Sequence, residues 1–418
     1  MKITIVSIGT RGDVQPYVAL GAALTARGHQ VTLATHEEYE PFVRSHGLEF
    51  RPMRGNLRAL AGTEAGRAWL ASGESPRAYA RTSKALLGPI VRPWCEDADA
   101  AVEGADAVVF YIMAIGAHFA AERRGLPAIA VAPWPMIPTV AGPPLTMPAL
   151  RWLPGFALRA LGHWAYRFVG GVFHDEYQAH RAAVGLPPMR EPDAFHHVFQ
   201  SGTPTLGLFS ETVVPRPHDW AQQHQVAGFA FLPPRSYEPP AALARFLEAG
   251  PPPVYVGFGS MTGFDPQALA TLALGAARKA GVRVILSSGW AGLRAQTDET
   301  VHVVDDVPHD WLFRRVAAVV HHGGVGTFAE GLRAGCPTVI TSFFGDQPYW
   351  GWRNEVLGTG PRTLSRKGLT TESLGAALEG AVNHPAYRAN AAKISEALRA
   401  EEGAAHAAAR IERHLARS

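Results

Sequence analysis

Short apolar runs alternate with longer helix-like stretches along this chain of 418 residues, and the alternation starts twice. Runs typical of buried strands lie at residues 3–8, 31–35, 107–112 and 128–131, and again at residues 254–258, 282–286, 301–304, 317–320 and 338–342. Strands that alternate with helices are typical of a parallel sheet packed between helices. We therefore predict an α/β fold with one Rossmann-like sheet in each half of the chain.

A proline-rich stretch separates the two halves. Residues 231–240 contain four prolines and no periodic apolar pattern, so we expect an irregular linker there. The predicted domains are residues 1–230 and 241–395, followed by a C-terminal helical segment, residues 396–418, that can pack back on the first domain. Two such sheets facing each other leave a cleft, and the cleft is the natural place for a ligand.

The composition excludes several classes of protein. Basic residues number 39 and acidic residues 36, and they are scattered rather than clustered, so we expect no nucleic-acid partner. The two cysteines, Cys95 and Cys336, lack the spacing of a metal-binding motif, and no metal site is predicted. The first apolar run is too short for a signal peptide, and no run has the length of a transmembrane helix. The expected location is therefore cytoplasmic.

A glycine-rich turn follows the fourth predicted strand of the second half. The letters HHGGVGT at residues 321–327 place two histidines before glycines and a helical stretch. Glycines let the backbone approach a ligand closely, and the free N–H groups at the start of a helix attract an anion. His322 and Thr327 can add hydrogen bonds to a phosphate. A tight turn without a ligand is an equal alternative for the glycines alone, and the paired histidines favour the anion site.

Several motifs, in order along the chain, resemble those of the UDP-dependent glycosyltransferase superfamily. The donor signature of that superfamily matches residues 321–330, 335–338 and 343–351, and further matches lie at residues 9–16, 257–261 and 287–290. Within the superfamily the sequence is most similar to the sterol glucosyltransferase branch, followed by the glycosyltransferases of macrolide and glycopeptide antibiotics. The resemblance implies the GT-B fold, in which two Rossmann-like domains face each other across a cleft.

The same resemblance implies where a nucleotide-sugar donor binds. His322 and Thr327 correspond to contacts with the diphosphate, and Glu330 corresponds to the residue that holds the ribose. The other donor residues that it implies are Ser260, Gly324 and Gly326 near the phosphates, Asp346 and Gln347 at the sugar, and Trp290 and Val307 at the base. Plant-type members carry a base-stacking Trp where this chain has Asp306-Val307, so the choice between UDP and TDP stays open.

Asp13 follows the first predicted strand, where the first helix begins. Asp is favoured at helix starts and Pro16 suits a first turn, so a role as helix cap is one interpretation. The resemblance instead implies that Asp13 is the general base of an inverting transfer. Its carboxylate would take the proton of the acceptor hydroxyl as that oxygen displaces the diphosphate, so that an α-linked donor gives a β-glycoside. The helix start would stabilise the leaving charge, and we expect no metal or cofactor.

The acceptor is expected to bind to the first domain. Its irregular segments, residues 56–94 and 133–154, carry apolar side chains that favour a lipophilic alcohol such as a sterol, triterpene or polyketide, with an ordinary core as the even alternative. Candidate contacts are Thr10, His118, Trp134 and Met136, although His118 also fits a packed core histidine. Residues 156–184 are predicted to form an aromatic helix that either packs on the first domain or makes a weak contact with a membrane surface.

The predicted function is therefore an inverting glycosyltransferase that moves glucose from UDP-glucose to a lipophilic alcohol. The alternatives are a TDP-deoxysugar transferase of antibiotic biosynthesis and a UDP-sugar epimerase on the same scaffold. A non-catalytic relative is disfavoured because His322, Asp346 and Gln347 are all present. A dehydrogenase is disfavoured because residues 9–12 lack the dinucleotide-binding fingerprint.

Overall fold

In the computed structural model, which describes residues 1–72, 75–234, 236–259, 265–289 and 295–416, the strands form two parallel sheets. The strands of the first sheet are β1 (Lys2–Val6), β2 (Gln30–His36), β3 (Glu49–Met53), β4 (Ala107–Tyr111), β5 (Ala128–Ala132), β6 (Thr205–Gly207) and β7 (His224–Val226), in the spatial order β3-β2-β1-β4-β5-β6-β7. Those of the second are β8 (Val254–Gly257), β9 (Val284–Ser287), β10 (Val301–Val304), β11 (Ala318–His321), β12 (Thr338–Ser342) and β13 (Leu364–Ser365), in the order β10-β9-β8-β11-β12-β13. The strand order reverses between β1 and β4 and between β8 and β11, and ligands of α/β proteins bind at such points.

Helices connect these strands. The first domain contains α1 (Arg11–Ala26), α2 (Glu40–Arg44), α3 (Leu57–Gly62), α4 (Glu64–Ala71), α5 (Pro76–Ala101), α6 (Ile115–Arg124), α7 (Gly155–Gly171), α8 (His174–Ala183) and α9 (Ala194–Gln200). The rest of the chain contains α10 (Ala241–Glu248), α11 (Pro266–Lys279), α12 (His309–Leu312), α13 (Val325–Arg333), α14 (Gln347–Leu357), α15 (Thr371–Asn383), α16 (Pro385–Ala400) and α17 (Gly403–Leu415). Short 3-10 turns lie at Glu37–Tyr39, Pro148–Leu150, Phe313–Arg315 and Arg366–Gly368.

The predicted pair of Rossmann-like sheets is confirmed. Each strand predicted from an apolar run is present within two residues of its expected bounds. The strands β3, β6, β7 and β13 were not predicted. β3 contains Pro52 and lies at the edge of its sheet, where a missing N–H is tolerated. The other three have two or three residues each, too few for a periodic pattern to show in the sequence.

Each sheet has its own apolar core, and a third cluster joins the two domains. In this third cluster the ring of Phe229, which precedes the linker, lies 6.5 Å from that of Trp350 in α14. The guanidinium of Arg353 donates to the carbonyl oxygen of Val213 from Nε at 2.9 Å and from Nη2 at 2.6 Å. The domains are therefore packed against each other beside the linker.

The chain passes between the domains twice, at neighbouring places. The first passage is the irregular stretch after β7, and the second lies between α16 and α17 at Glu401 and Glu402. The two passages are in contact, since a Cβ atom added to Gly228 would lie 3.0 Å from the Cα atom of Gly403. The segment predicted to begin at residue 396 begins inside α16, and the return to the first domain comes five residues later.

The last helix, α17, packs on α1 of the first domain. Ala407 and Ile411 are fully buried within the core of that domain. At the edge of this contact, the carboxylate of Glu412 pairs with the guanidinium of Arg27 at 2.5 Å and with the imidazole of His29 at 3.0 Å. The C-terminal helix is thus part of the first domain in space.

The segment after β5 is irregular as far as α7. Residues 156–184, predicted as one helical stretch, form α7 and α8 with a break at Val172 and Phe173. Within the described residues, no helix combines the length and the apolarity needed to cross a bilayer.

Candidate active site

Asp13 lies in the first turn of α1, just after the carboxyl end of β1. Thr10 is the N-terminal cap residue of α1 and Asp13 is its third residue, so the interpretation of Asp13 as the cap is wrong. The Asp13 carboxylate reaches back to Thr10, whose backbone N–H and hydroxyl donate to Oδ2 at 2.8 and 2.9 Å. A side chain at the third position that accepts from the cap N–H is half of a capping box. The base candidate is therefore held by its own turn.

The turn before Asp13 requires a glycine. Gly9 has φ of +137°, and a Cβ atom added to it would overlap the carboxylate of Asp13. Its N–H donates to Nε2 of His36 at 3.3 Å, and Nδ1 of His36 lies 3.3 Å from the carbonyl oxygen of Met53. Because burial lowers the pKa of His36, the ring is neutral and can accept at one nitrogen while it donates at the other.

Tyr111 is a second partner of Asp13 and was not predicted from the sequence. It ends β4, the neighbour of β1, and its hydroxyl donates to Oδ1 of Asp13 at 3.0 Å. Its ring packs edge-on against that of Trp134, which follows β5, with 5.5 Å between the centroids. The carboxyl ends of three adjacent strands thus bring Asp13, Tyr111 and Trp134 together, as expected at a parallel-sheet edge.

Asp13 of the first domain and Asp346 of the second are both buried, and the pKa values of both are raised. Burial raises the pKa of Asp13 above its ordinary value of 3.8, although the hydrogen bonds from Thr10 and Tyr111 oppose that rise. The pKa of Asp346 is raised from 3.8 to about 6, mainly by burial and to a smaller extent by the negative charge of Asp13, while the hydrogen bond from Trp350 opposes the rise. The two side chains come from different domains, and the charge of the base candidate acts on the pKa of the predicted sugar-binding residue.

The turn predicted to bind the donor follows β11. His322 lies between Gly259 and Gly324, where a Cβ atom added to either glycine would collide with the imidazole ring. Burial lowers the pKa of His322 to about 4, so the ring is neutral near pH 7. Its buried Nδ1 has no hydrogen-bond partner within the described part of the chain, and a buried nitrogen in this position is suited to bond a ligand.

A cavity of about 120 Å³ adjoins this turn. Thr327 of α13 and Val307 both line it, together with Gly257 and Gly259 at the end of β8 and Ser287 at the end of β9. The structure therefore brings Thr327, implied for the diphosphate, and Val307, implied for the base, to one cavity. Gly324 is the cap residue of α13, and Gly326 lies exposed in its first turn.

Glu330 lies one turn further along α13 and does not line that cavity. Burial raises the pKa of Glu330 from 4.5 to about 7, and the Arg333 guanidinium, 3.8 Å away, only partly offsets this effect. A buried carboxyl group whose pKa stays raised beside an arginine has the character of a ligand-binding group.

Asp346 and Gln347 begin α14, and each has a partner in the protein. Oδ2 of Asp346 accepts from the indole N–H of Trp350 at 2.7 Å. Oε1 of Gln347 accepts from the backbone N–H groups of Phe343 and Phe344 at 2.8 and 3.2 Å. The side-chain amide oxygen of Gln347 therefore holds the loop before α14 in place, a role that the sequence did not indicate.

The candidate acceptor residues divide into two groups. Thr10 and Trp134 lie at the Asp13 site, as described above. His118 is only 4% exposed and its Nε2 lies 3.1 Å from the Thr203 hydroxyl, while Met136 is 2% exposed in the core of the first domain. The predictions for His118 and Met136 are therefore wrong, because both side chains point into the domain. Ser260 and Trp290 lie outside the described residues.

Two further contacts cross the cleft and were not predicted. The ring of Trp69 in α4 lies 6.2 Å from that of Phe344 in the loop before α14. At the nucleotide end, the Arg11 guanidinium lies 3.5 Å from the carboxylate of Asp306. The cleft is therefore bridged at two places by side chains of the first domain.

Comparisons with known proteins agree with this architecture. Residues 3–140 match the glycosyltransferase family 28 N-terminal domain, and residues 276–413 match the erythromycin biosynthesis protein CIII-like C-terminal domain. A sterol 3-beta-glucosyltransferase of Arabidopsis thaliana is 35% identical over 99% of this chain and 68% of its own length. One of Emericella nidulans is 34% identical over 99% of this chain and 30% of its own length, so this chain spans less than a third of the fungal protein.

Among solved structures, the glycosyltransferase of kitacinnamycin superposes with a TM-score of 0.73 at 22% identity, over 99% of this chain and 98% of that one. This match shows that the two facing sheets are those of the GT-B fold. Together with the identity to the plant enzyme, it establishes that the chain belongs to the glycosyltransferase family that includes the sterol 3-beta-glucosyltransferases.

Proposed function

We propose that this glycosyltransferase moves glucose from UDP-glucose to a hydroxyl group of a sterol-like acceptor, with inversion and without a metal or cofactor. The observation that carries the proposal is the position of Asp13. Its carboxylate is held by Thr10 and Tyr111, and its charge raises the pKa of Asp346 in the other domain. A fixed base opposite a nucleotide-sugar loop is the arrangement that a single displacement needs.

In the proposed reaction, Asp13 takes the proton of the acceptor hydroxyl while the oxygen forms a bond to the anomeric carbon. The bond from that carbon to the UDP oxygen breaks on the opposite face, which converts an α-linked donor into a β-glycoside. The raised pKa of Asp13 makes its carboxylate a stronger base than an exposed one. Oδ1 and Oδ2 already accept hydrogen bonds, so the substrate proton would use a remaining lone pair of the carboxylate.

The leaving diphosphate would be stabilised by the start of α13. Its first N–H groups are not bonded within the helix, and the helix dipole favours negative charge at this end. Thr327 adds a hydroxyl, and the neutral His322 adds a nitrogen without a partner in the described protein. Preorganised donors of this kind stabilise the charge that develops on the leaving group.

The proposed acceptor class is based on the names of the relatives and on the apolar side chain beside Asp13. The plant and fungal relatives are sterol 3-beta-glucosyltransferases by name. Trp134, partly buried next to Tyr111, offers an apolar surface at the base. A TDP-deoxysugar transferase is the second candidate, favoured by the erythromycin-type C-terminal domain and by Asp306-Val307 in place of a stacking Trp.

The first experiment tests the predicted base and the predicted phosphate contact independently. Asp13→Asn should lower transfer by about 100-fold or more, because the amide cannot accept the proton, while calorimetry should give nearly the wild-type affinity for UDP. His322→Ala should weaken UDP binding by about 10-fold or more, since a hydrogen bond to a charged phosphate is lost. Turnover of Asp13→Asn within a few-fold of the wild type would contradict the assignment of the base.

The substrate classes are tested with a panel. The protein is incubated with UDP-glucose or a TDP-sugar and with sterols, polyketides and simple sugars as acceptors, and products are identified by mass spectrometry. A steryl glucoside formed only from UDP-glucose supports the proposal. Transfer from the TDP-sugar to a polyketide supports the second candidate, and glycosylation of simple sugars alone contradicts both.

A further inference from the structure

The surface formed by residues 151–167, termed here the α7 face, exposes large aromatic side chains. Five large apolar residues are exposed in the described part of the chain, and three of them lie here. Trp152 is 74% exposed, Phe156 73% and Trp164 50%. Isolated exposed apolar residues are normal on a soluble protein, but a cluster of them marks an interaction surface.

The opposite side of α7 packs tightly on the first domain, so the orientation of the helix is fixed. A Cβ atom added to Gly162 would lie 3.0 Å from the Cβ atom of Pro138. Leu158 is buried on the same side. The aromatic residues are therefore exposed because close packing on the other side turns them outward.

Arginines surround these aromatic residues. Arg151, Arg159 and Arg167 are exposed on the α7 face, and the sequence contains no Asp or Glu from residue 123 to residue 174. Two carboxylates from elsewhere contact this region. The Asp193 side chain is fully buried, and Asp219 is bonded to the backbone N–H of Val140. The face is therefore basic and aromatic, with these nearby carboxylates engaged internally.

We propose that the α7 face binds the surface of an anionic lipid bilayer. Aromatic side chains insert at the level of the headgroups, and arginines pair with lipid phosphates, which matches the pattern of an amphipathic helix lying on a membrane. The segment that follows β5 begins beside Asp13 with Trp134 and reaches this face at Trp152. This segment thus connects the α7 face to the acceptor end of the cleft, although the membrane contact does not depend on the proposed acceptor.

Vesicle co-sedimentation of the full chain tests the proposal. The probes are phosphatidylcholine vesicles with and without phosphatidylglycerol. The wild type should sediment with the anionic vesicles, less so as salt is added, and weakly with phosphatidylcholine alone. Arg159→Gln with Arg167→Gln should lower the partition coefficient by about 25-fold, since each basic residue near an anionic surface contributes about five-fold. Phe156→Ser with Trp164→Ser should lower it on both kinds of vesicle.

Matched controls lie on the second domain. Val356 in α14 is an exposed apolar residue, and Arg278 and Arg362 are exposed arginines. Val356→Ser, and Arg278→Gln with Arg362→Gln, should sediment like the wild type. All variants should keep the wild-type affinity for UDP, which separates a failure here from a failure of the donor site.

Three results would overturn the proposal. The first is no sedimentation of the wild type with anionic vesicles. The second is equal loss in the α7-face variants and the second-domain controls. The third is a concentration-dependent dimer in light scattering that the α7-face variants abolish, because the face would then pair with a second copy of the chain.

Discussion

Tyr111→Phe removes one hydrogen bond from Asp13 and leaves the packing of the ring in place. The ring of Tyr111 contacts those of Tyr17 and Trp134, and these contacts do not need the hydroxyl. In the wild type, the bond from Tyr111 lowers the pKa of Asp13 against the larger, opposite effect of burial. Without it the pKa of Asp13 should rise further, so that the base is ionised only at higher pH.

The size of the shift follows from the strength of the bond. A hydrogen bond to a charged group contributes about 1.5–3 kcal/mol, equivalent to about one to two units of pKa. The lower end applies here, because Thr10 keeps two donors on Oδ2 of the same carboxylate. We therefore expect a rise of about one unit in the pKa of Asp13.

The assay is the pH profile of kcat/KM. A base must be deprotonated to act, so activity rises with pH through the pKa of Asp13, and this acid limb should move to higher pH in Tyr111→Phe. Tyr17→Phe is the matched control, since the Tyr17 hydroxyl donates to the carbonyl oxygen of Val131 instead. An unchanged acid limb in Tyr111→Phe, or the same displacement in Tyr17→Phe, would refute the reasoning.

Two further predictions concern the same cleft. Gly9→Ala should abolish transfer, because the added Cβ atom would displace the Asp13 carboxylate. Gly28 also has positive φ but has open space around it, so Gly28→Ala should cost about 1 kcal/mol of stability and leave activity intact. Equal activity of the two variants would contradict the steric argument. Because the folded-state pKa of Glu330 is raised from 4.5 to about 7, the ionised group destabilises the fold above pH 7 by up to about 3 kcal/mol, and this effect vanishes as pH falls below 4.5. Glu330→Gln should therefore raise the melting temperature in mildly alkaline buffer but not near pH 4, and it should weaken donor binding. A rise in melting temperature that is independent of pH would contradict the assigned pKa.

The predictable elements of the fold are those that are determined by the residues of the element itself. Central parallel strands such as β1 and β8 are buried on both faces and therefore read as continuous apolar runs. The short strands β6 and β7 owe their pairing to their neighbours rather than to their own sequence. The positions of Asp13 in a first helical turn and of His322 in a glycine-rich turn were also predictable, because a strand that runs into a helix start is visible in the local pattern.

The unpredicted part of the site depends on which elements become neighbours. Tyr111 meets Asp13 only because β4 pairs with β1, a fact of topology that the local sequence around residue 111 does not contain. The errors at His118 and Met136 have a related cause. Each side chain adjoins a loop, and whether it points into the domain or into the cleft is decided by helices and loops from distant parts of the sequence.

The return of α17 to the first domain has a consequence for building hybrid enzymes. A fusion made at the linker alone would exchange everything after residue 240, including α17, and would place a foreign helix against α1. In the reciprocal hybrid, Ala407 and Ile411 would have to fit a groove on a foreign first domain, and Glu412 would lose Arg27 and His29 as partners. A hybrid that keeps the first domain intact should instead receive the second domain as an insert between Gly228 and Gly403, with both junctions at one point of the molecule.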